Sequence, residues 1–271
     1  MKPDFESQII LSKILKKNRS YLISHRDEKI NYLKYLKAIK NCKKRVKNIP
    51  LAYINKEKGF YNINLTINKN VLIPRPESEL FIDYFKNKNF NNSLTIDIGT
   101  GSGVLIISLL KNINLKKFYN YKFIASDISV KAIKLAKKNA KKYNLKNIIT
   151  FKKSDLLSSF KKNELLTPNN IYIIANLPYL NKKEMEEISI QKEPKKALYS
   201  NKNGLDHYYR LIDELKQFKL NTKKIEIAME INPHQKNLLI KKIRDIFPNF
   251  DHNIIKDYNN KDRILVIKNY K

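Results

Sequence analysis

The chain has 271 residues, one large domain or two unequal ones at the usual size of about 150, and enough to bury a core without staples. Lysine and arginine outnumber aspartate and glutamate by 30, yet 48 of the 55 cations are lysine, and asparagine is abundant while glycine falls to five, a pattern that A/T-rich coding explains better than a nucleic-acid surface, which would favour arginine's planar fork. A single cysteine, Cys42, excludes an internal disulfide and a cysteine metal site, and His25, His207, His234 and His252 stand too far apart to suggest any metal.

Residues 1–50 read as helical, with Tyr32, Tyr35, Leu36 and Ile39 at i, i+3, i+4, i+7. They carry 14 basic and four acidic residues, about twice the charge density of the remainder, which suits either docking on an acidic partner or a solvated face. No signal peptide is expected, because Asp4 and Glu6 precede any apolar run. Residues 51–73 alternate around Gly59 and predict a β-hairpin linker. From residue 74 the pattern repeats strand and helix, which predicts an α/β domain over 74–271 with a mostly parallel sheet covered on both faces. Leu94–Ile98 reads as a buried strand and Val104–Leu110 as a buried helix, and the longest uncharged apolar run, Ile98–Leu110, is shorter than the roughly 20 residues of a membrane helix. Further strands are expected at Phe123–Ser126, Ile148–Lys152, Ile171–Ala175 and Ile225–Glu230, with a terminal pair at Ile254–Lys256 and Arg263–Lys268. Helices are expected at Lys131–Tyr143, Leu205–Phe218 and Gln235–Ile246, and the Lys/Asn-rich stretches 111–122 and 161–170 read as loops. A cytoplasmic monomer with no membrane contact is the resulting expectation.

Three of the five glycines fall in one window, Asp97-Ile-Gly99-Thr100-Gly101-Ser102-Gly103. A strand, a glycine loop and a helix N-terminus present backbone N–H groups to an anionic or polar ligand. The spacing is Gly-x-Gly-x-Gly, with Val104 where a dinucleotide fingerprint needs glycine, and no Gly-Lys-Ser/Thr ending follows. Asp127 ends the next strand, 24 residues after Gly103, where a carboxylate accepts both hydroxyls of a ribose. This combination resembles the S-adenosylmethionine site of class I methyltransferases. Asn176-Leu177-Pro178-Tyr179 follows the strand at 171–175, at the rim where α/β sheets bind ligands. Methylation of a planar nitrogen needs two acceptors to grip its N–H bonds: the Asn176 side-chain oxygen and the Leu177 carbonyl are suited to this. Pro178 stiffens the loop, and Tyr179 offers a flat face.

The tetrapeptide resembles the Asn/Asp-Pro-Pro-Tyr of amino-methyltransferases, although rRNA adenine dimethyltransferases carry Asn-Leu-Pro-Tyr as well. The flanks separate the two. Pro50-Leu-Ala-Tyr-Ile54, Phe60, Val71-Leu-Ile-Pro-Arg-Pro-Glu-Ser-Glu79, Glu193-Pro-Lys-Lys-Ala-Leu198, Gly204-Leu-Asp-His-Tyr-Tyr-Arg210, Glu230, Gln235 and Asp262-Arg263 resemble, in order and spacing, the protein-(glutamine-N5) methyltransferases that modify peptide chain release factors. The resemblance covers nearly the whole chain. It implies a Rossmann-like seven-stranded domain with one antiparallel strand, behind a small helical N-terminal domain that docks the substrate. It also implies methylation of the glutamine in the Gly-Gly-Gln tip of class 1 release factors, bound by Asn176, Leu177, Pro178 and Tyr179. The S-adenosylmethionine contacts it implies are Asp97, Gly99, Thr100, Gly101, Ser102, Gly103, Asp127, Asp155, Leu156 and Asn176. Leu156 stands where the family often has an aromatic residue beside the adenine, Leu177 replaces the commoner proline, and Ser78 replaces threonine. The alternatives are an adenine-N6 methyltransferase of rRNA or DNA, for which no recognition region is evident, and a glutamine methyltransferase of a ribosomal protein.

Overall fold

The computed structural model describes residues 3–218 and 224–269. Helices α1 (Pro3–Leu15), α2 (Arg19–Ser24), α3 (Tyr32–Val46) and α4 (Leu51–Asn55) form the N-terminal region. Asn18 and Asn31 cap α2 and α3, each side chain accepting a backbone N–H of the first turn. The Arg45 guanidinium clamps both oxygens of Glu6 (2.7 and 3.0 Å), joining α3 to α1. The apolar stripe of α3 is largely uncovered among the described residues: Tyr32, Leu33, Tyr35, Leu36 and Ile39 are all exposed, Tyr32 by 70% and Leu33 by 73%.

The linker begins with α4, a helical turn where the alternation predicted extended chain. The hairpin occupies only β1 (Glu57–Phe60) and β2 (Ile63–Thr66), turning at Tyr61 and Asn62. A 3-10 turn at Pro76–Ser78 leads into α5 (Glu79–Phe85). Beyond it come β3 (Ser93–Ile98), α6 (Val104–Lys111), β4 (Tyr121–Asp127), α7 (Val130–Lys142), β5 (Ile149–Lys153), α8 (Lys162–Leu166) and β6 (Asn170–Ala175). The chain closes with α9 (Asn201–Gly204), α10 (Asp206–Gln217), β7 (Lys224–Glu230), α11 (Lys236–Ile246), β8 (Asp251–Lys256) and β9 (Asp262–Asn269). Two expectations need correction. The stretch 161–170 is not all loop, because Glu164 caps α8 by accepting the Lys161 N–H (2.7 Å). The first strand of the terminal pair starts at Asp251, three residues earlier than its apolar part.

The sheet order is β5-β4-β3-β6-β7-β9-β8, parallel except for β9. Alternation along β6 supplies both faces: Ile171, Ile173 and Ala175 join a core with Tyr208, Leu211 and Ile212 of α10, while Tyr172 and Ile174 join another with Phe81 and Phe85 of α5. The chain leaves β3 for β4 and β5, then returns to β6 on the other side of β3, so a crevice opens at the carboxyl ends of β3 and its neighbours. Left-handed backbone recurs at the turns, and seven of those positions are asparagine: 48, 62, 92, 120, 144, 203 and 260.

Gly204 is different. A Cβ there would stand 2.0 Å from the Tyr179 carbonyl oxygen and 2.3 Å from Gln235 Nε2, at φ +84°. Gly59 would meet nothing within 4 Å. Gly204→Ala is therefore expected to cost at least about 2 kcal/mol and lower the melting temperature by several degrees. Gly59→Ala is expected to be neutral or stabilising by up to about 1 kcal/mol. Thermal melts of the two variants check this.

Candidate active site

The glycine loop leaves the carboxyl end of β3 with Gly99, Gly101 and Gly103 at φ +71°, +56° and +81°, a path that side chains would strain. A Cβ on Gly103 would also press on Ile107 Cδ1 at 2.9 Å and Ala136 Cβ at 3.2 Å, so its absence lets α6 lie close to α7. The Thr100 N–H donates to the Ser126 carbonyl (2.9 Å), drawing the loop back over β4. Under the loop lies Asp97, almost fully buried, whose Oδ2 accepts the Thr100 hydroxyl at 2.6 Å. Burial lifts this carboxyl to about 7, against the Thr100 hydroxyl and the backbone bond from Ile106.

Asp127 stands at the end of β4. Its two oxygens accept the Gly101 N–H (2.9 Å) and the Ser129 N–H (2.8 Å), tying the loop to the start of α7. Burial raises this carboxyl too, and the two N–H groups counter it. After β5, Leu156 takes φ +48°, unusual for a bulky side chain, and is buried where the core meets the cavity. Its neighbour Asp155 pairs with Arg210 of α10 at 2.7 Å. His207, one turn earlier on α10, is held low by burial and by the Arg210 charge.

These groups surround a cavity of about 400 Å³. Gly99, Thr100, Gly101 and Ser102 form one wall, which Asp127 continues. Asp155 and Leu156 form the next, and Asn176, Leu177 and Pro178 the third. Asp97, Gly103 and Tyr179 are not wall residues, although each adjoins one. Other wall residues are groups to which the sequence gives no role: Val71 of the linker, Pro74, Arg75 and Ser78 just after it, the segment Pro194–Ala197, His207 and Arg210. Glu193 joins two of these parts, its oxygens accepting from Arg75 Nη2 (2.5 Å) and the Ile73 N–H (3.0 Å).

Behind Asn176 lies a buried polar cluster. Asn176 Nδ2 donates to Ser78 Oγ (2.9 Å) and to Glu230 Oε2 (2.8 Å). The Ser78 hydroxyl donates to the same Glu230 oxygen (2.6 Å), and the Tyr179 hydroxyl to Glu230 Oε1 (2.9 Å). Tyr208 bridges the carbonyl of Glu230 and the Leu177 N–H. Burial pushes the Glu230 carboxyl up, while the Ser78 and Tyr179 hydroxyls and the Arg263 charge pull it back. In the sequence, Ser78 and Glu230 stand out only as flanks that resemble the family. They lie 98 and 54 residues from Asn176, and no local spacing links them.

Fold and cavity together define a Rossmann-like methyltransferase, and the sequence matches the family described as a methyltransferase domain over residues 89–245. Residues 1–55 match the PrmC N-terminal domain. The chain belongs to the release factor glutamine methyltransferase family. It is 36% identical to the release factor glutamine methyltransferase of Mycoplasma mycoides subsp. mycoides SC, covering 96% of this chain and 91% of that protein. It is 33% identical to that of Buchnera aphidicola subsp. Acyrthosiphon pisum, covering 99% and 92%. The solved catalytic domain of hMettl16 in complex with MAT2A 3'UTR hairpin 6 shares the fold, with a TM-score of 0.59 at 15% identity over 93% of this chain and 92% of that one.

Asp97 supplies a test by pH. With an ordinary value of 3.8 in the unfolded chain and about 7 when folded, it keeps its proton in the folded state over a window where the unfolded chain has lost it. Its contribution to stability is therefore greatest below about pH 4 and falls as pH rises to about 7. Asp97→Asn removes this titration. Relative to the wild type, the variant is expected to gain stability across that window, by at most about 4 kcal/mol. Melting curves at pH 5 and pH 8 read the difference.

Proposed function

We propose that the protein transfers a methyl group from S-adenosylmethionine to the side-chain amide nitrogen (N5) of the glutamine in the Gly-Gly-Gln motif of class 1 peptide chain release factors. The observation that carries this reading is the meeting of Asn176, Leu177 and Pro178 with the glycine loop and Asp127 around one cavity. The residues present fit the cofactor. A loop of three left-handed glycines leaves room for close backbone approach, and Asp127 keeps lone pairs for a vicinal diol beyond the two backbone N–H groups it already accepts. Gly99 to Gly103, Asp127, Asp155, Leu156 and Asn176 would hold it, with Asp97 acting through Thr100. When bound, it supplies an electrophilic methyl group.

The chain's own part is to position the amide. An amide nitrogen is a weak nucleophile because its lone pair is delocalised. Asn176 Oδ1 and the Leu177 carbonyl accept hydrogen bonds from its two N–H groups and favour the charge that develops as the new N–C bond forms, and the nitrogen then gives up one of the two protons to solvent. Pro178 removes a donor and stiffens the loop, and Tyr179 closes it with its hydroxyl on Glu230.

Residues 1–50 serve in this reading as the substrate-docking domain, 51–73 as a hairpin linker and 74–271 as the transferase domain. The exposed stripe of α3 among lysines supports docking: apolar contact with the release factor would cover Tyr32, Leu33 and Leu36, and acidic side chains there would meet Lys34, Lys37 and Lys40.

The test is mass spectrometry of a release factor incubated with the protein and S-adenosylmethionine, with one added methyl group expected on the Gly-Gly-Gln glutamine. Asn176→Ala should lower kcat by about 100-fold or more and weaken cofactor binding far less than it lowers turnover. Asp127→Ala should chiefly weaken cofactor binding. Full activity of Asn176→Ala would refute the assignment of that residue.

A further inference from the structure

The groups behind Asn176 settle which end of its carboxamide faces the cavity. A carboxamide has an oxygen and a nitrogen of nearly the same size, and its role depends on which of the two a substrate meets. Gripping an amide N–H requires the oxygen. A flipped Asn176 would present N–H groups to the N–H groups of the target.

We infer that Glu230, with Ser78, is the positioning device for the methylation reaction, fixing Asn176 so that it shows the cavity only an acceptor. The inference rests on the reading of Asn176 proposed above. Three donors converge on the two Glu230 oxygens: the Ser78 hydroxyl (2.6 Å) and Asn176 Nδ2 (2.8 Å) on Oε2, and the Tyr179 hydroxyl (2.9 Å) on Oε1. A carboxylate surrounded in this way only accepts. The Ser78 hydroxyl, having given its one hydrogen to Glu230, can only accept from Asn176, and does so at 2.9 Å. Nδ2 therefore has an acceptor for each of its two hydrogens, and Oδ1 is left as the free functional end. A flip would set Oδ1 against the carboxylate oxygen and leave two buried acceptors facing a third. Ser78 and Glu230 are each only 2% exposed, so water screens that repulsion weakly. Tyr179 shares the same carboxylate, so one charge fixes both ends of the Asn176–Tyr179 loop. The carboxylate sits at the end of β7, on the sheet, and Ser78 at the start of α5, both rigid supports.

The experiment is a two-residue charge exchange, read as kcat/KM for methylation of an intact release factor by the full-length protein. Glu230→Gln keeps shape but introduces a donor that a flipped Asn176 can accept. It should lower kcat/KM about 10- to 100-fold, with cofactor affinity within about twofold of wild type. Asn176→Asp alone sets a second carboxylate against Glu230 and should lose at least as much. In the double variant, the introduced amide donates to one oxygen of the introduced carboxylate, and the other oxygen faces the cavity as an acceptor. Its activity should exceed that of Asn176→Asp by about tenfold, whereas a merely structural role gives losses that multiply. Wild-type kcat/KM in Glu230→Gln, or a double variant no better than Asn176→Asp, would overturn the inference. Should Glu230→Gln fail to fold, Ser78→Ala carries the test, with a loss of about 3- to 10-fold expected and wild-type kinetics overturning it. Wild-type protein that binds cofactor yet leaves the glutamine unmethylated would overturn the underlying reading along with this one.

Discussion

One buried carboxylate gathers the parts of the site. Glu230 leaves the end of β7 and takes hydrogen bonds from the 3-10 turn ahead of α5 and from both ends of the loop after β6. Its own backbone carbonyl takes the Tyr208 hydroxyl of α10. The turn ahead of α5 and the loop after β6, distant in sequence, thus share a single charge carried by β7. Burying such a charge is costly unless every lone pair is matched, so the segments are obliged to arrive together. The positively charged Arg263, on β9, stands near enough to favour the ionised form. The antiparallel strand that closes the sheet therefore contributes to the electrostatics of the loop two strands away.

The parallel sheet does the coarser positioning. Register pairs Ile98 with Ser126 on one side and with Ala175 on the other, so β3, β4 and β6 end at nearly the same level. The glycine loop, Asp127 and Asn176 then leave the sheet along one rim. What the sheet does not build is the opposite wall. That wall comes from the linker and the segment after residue 193, pinned together by Glu193 through Arg75 and the Ile73 N–H.

Legibility in the sequence followed locality. The glycine loop announced itself because three of five glycines lie in one window, and backbone constraint is written residue by residue. The strands and helices of the sheet were visible in apolar periodicity, with only short helices such as α4 and α8 missed, since one turn leaves no repeat to detect. The wall residues Arg75, His207 and Arg210 fell inside flanks singled out for order and spacing alone, and nothing in that spacing shows that Arg210 meets Asp155. The Ser78–Asn176–Glu230 cluster was illegible for the same reason: tertiary folding closes separations of 98 and 54 residues, and single-chain spacing has no term for it. For α3, period 3.6 revealed the stripe but was silent on what covers it, and the structure leaves it bare.

The asparagines at left-handed turns have a consequence of their own. Seven such positions hold asparagine, a residue that tolerates this backbone without glycine's freedom when unfolded. Four of the five glycines also take positive φ, and at Gly204 and Gly103 even the first side-chain carbon would collide. Asparagine is the commonest residue at the left-handed turns, and Gly103 and Gly204 stand at left-handed positions where space is lacking as well. Four of the few glycines thus mark places where the backbone itself is the functional surface or the packing surface, and Gly59, with open space around it, is the exception.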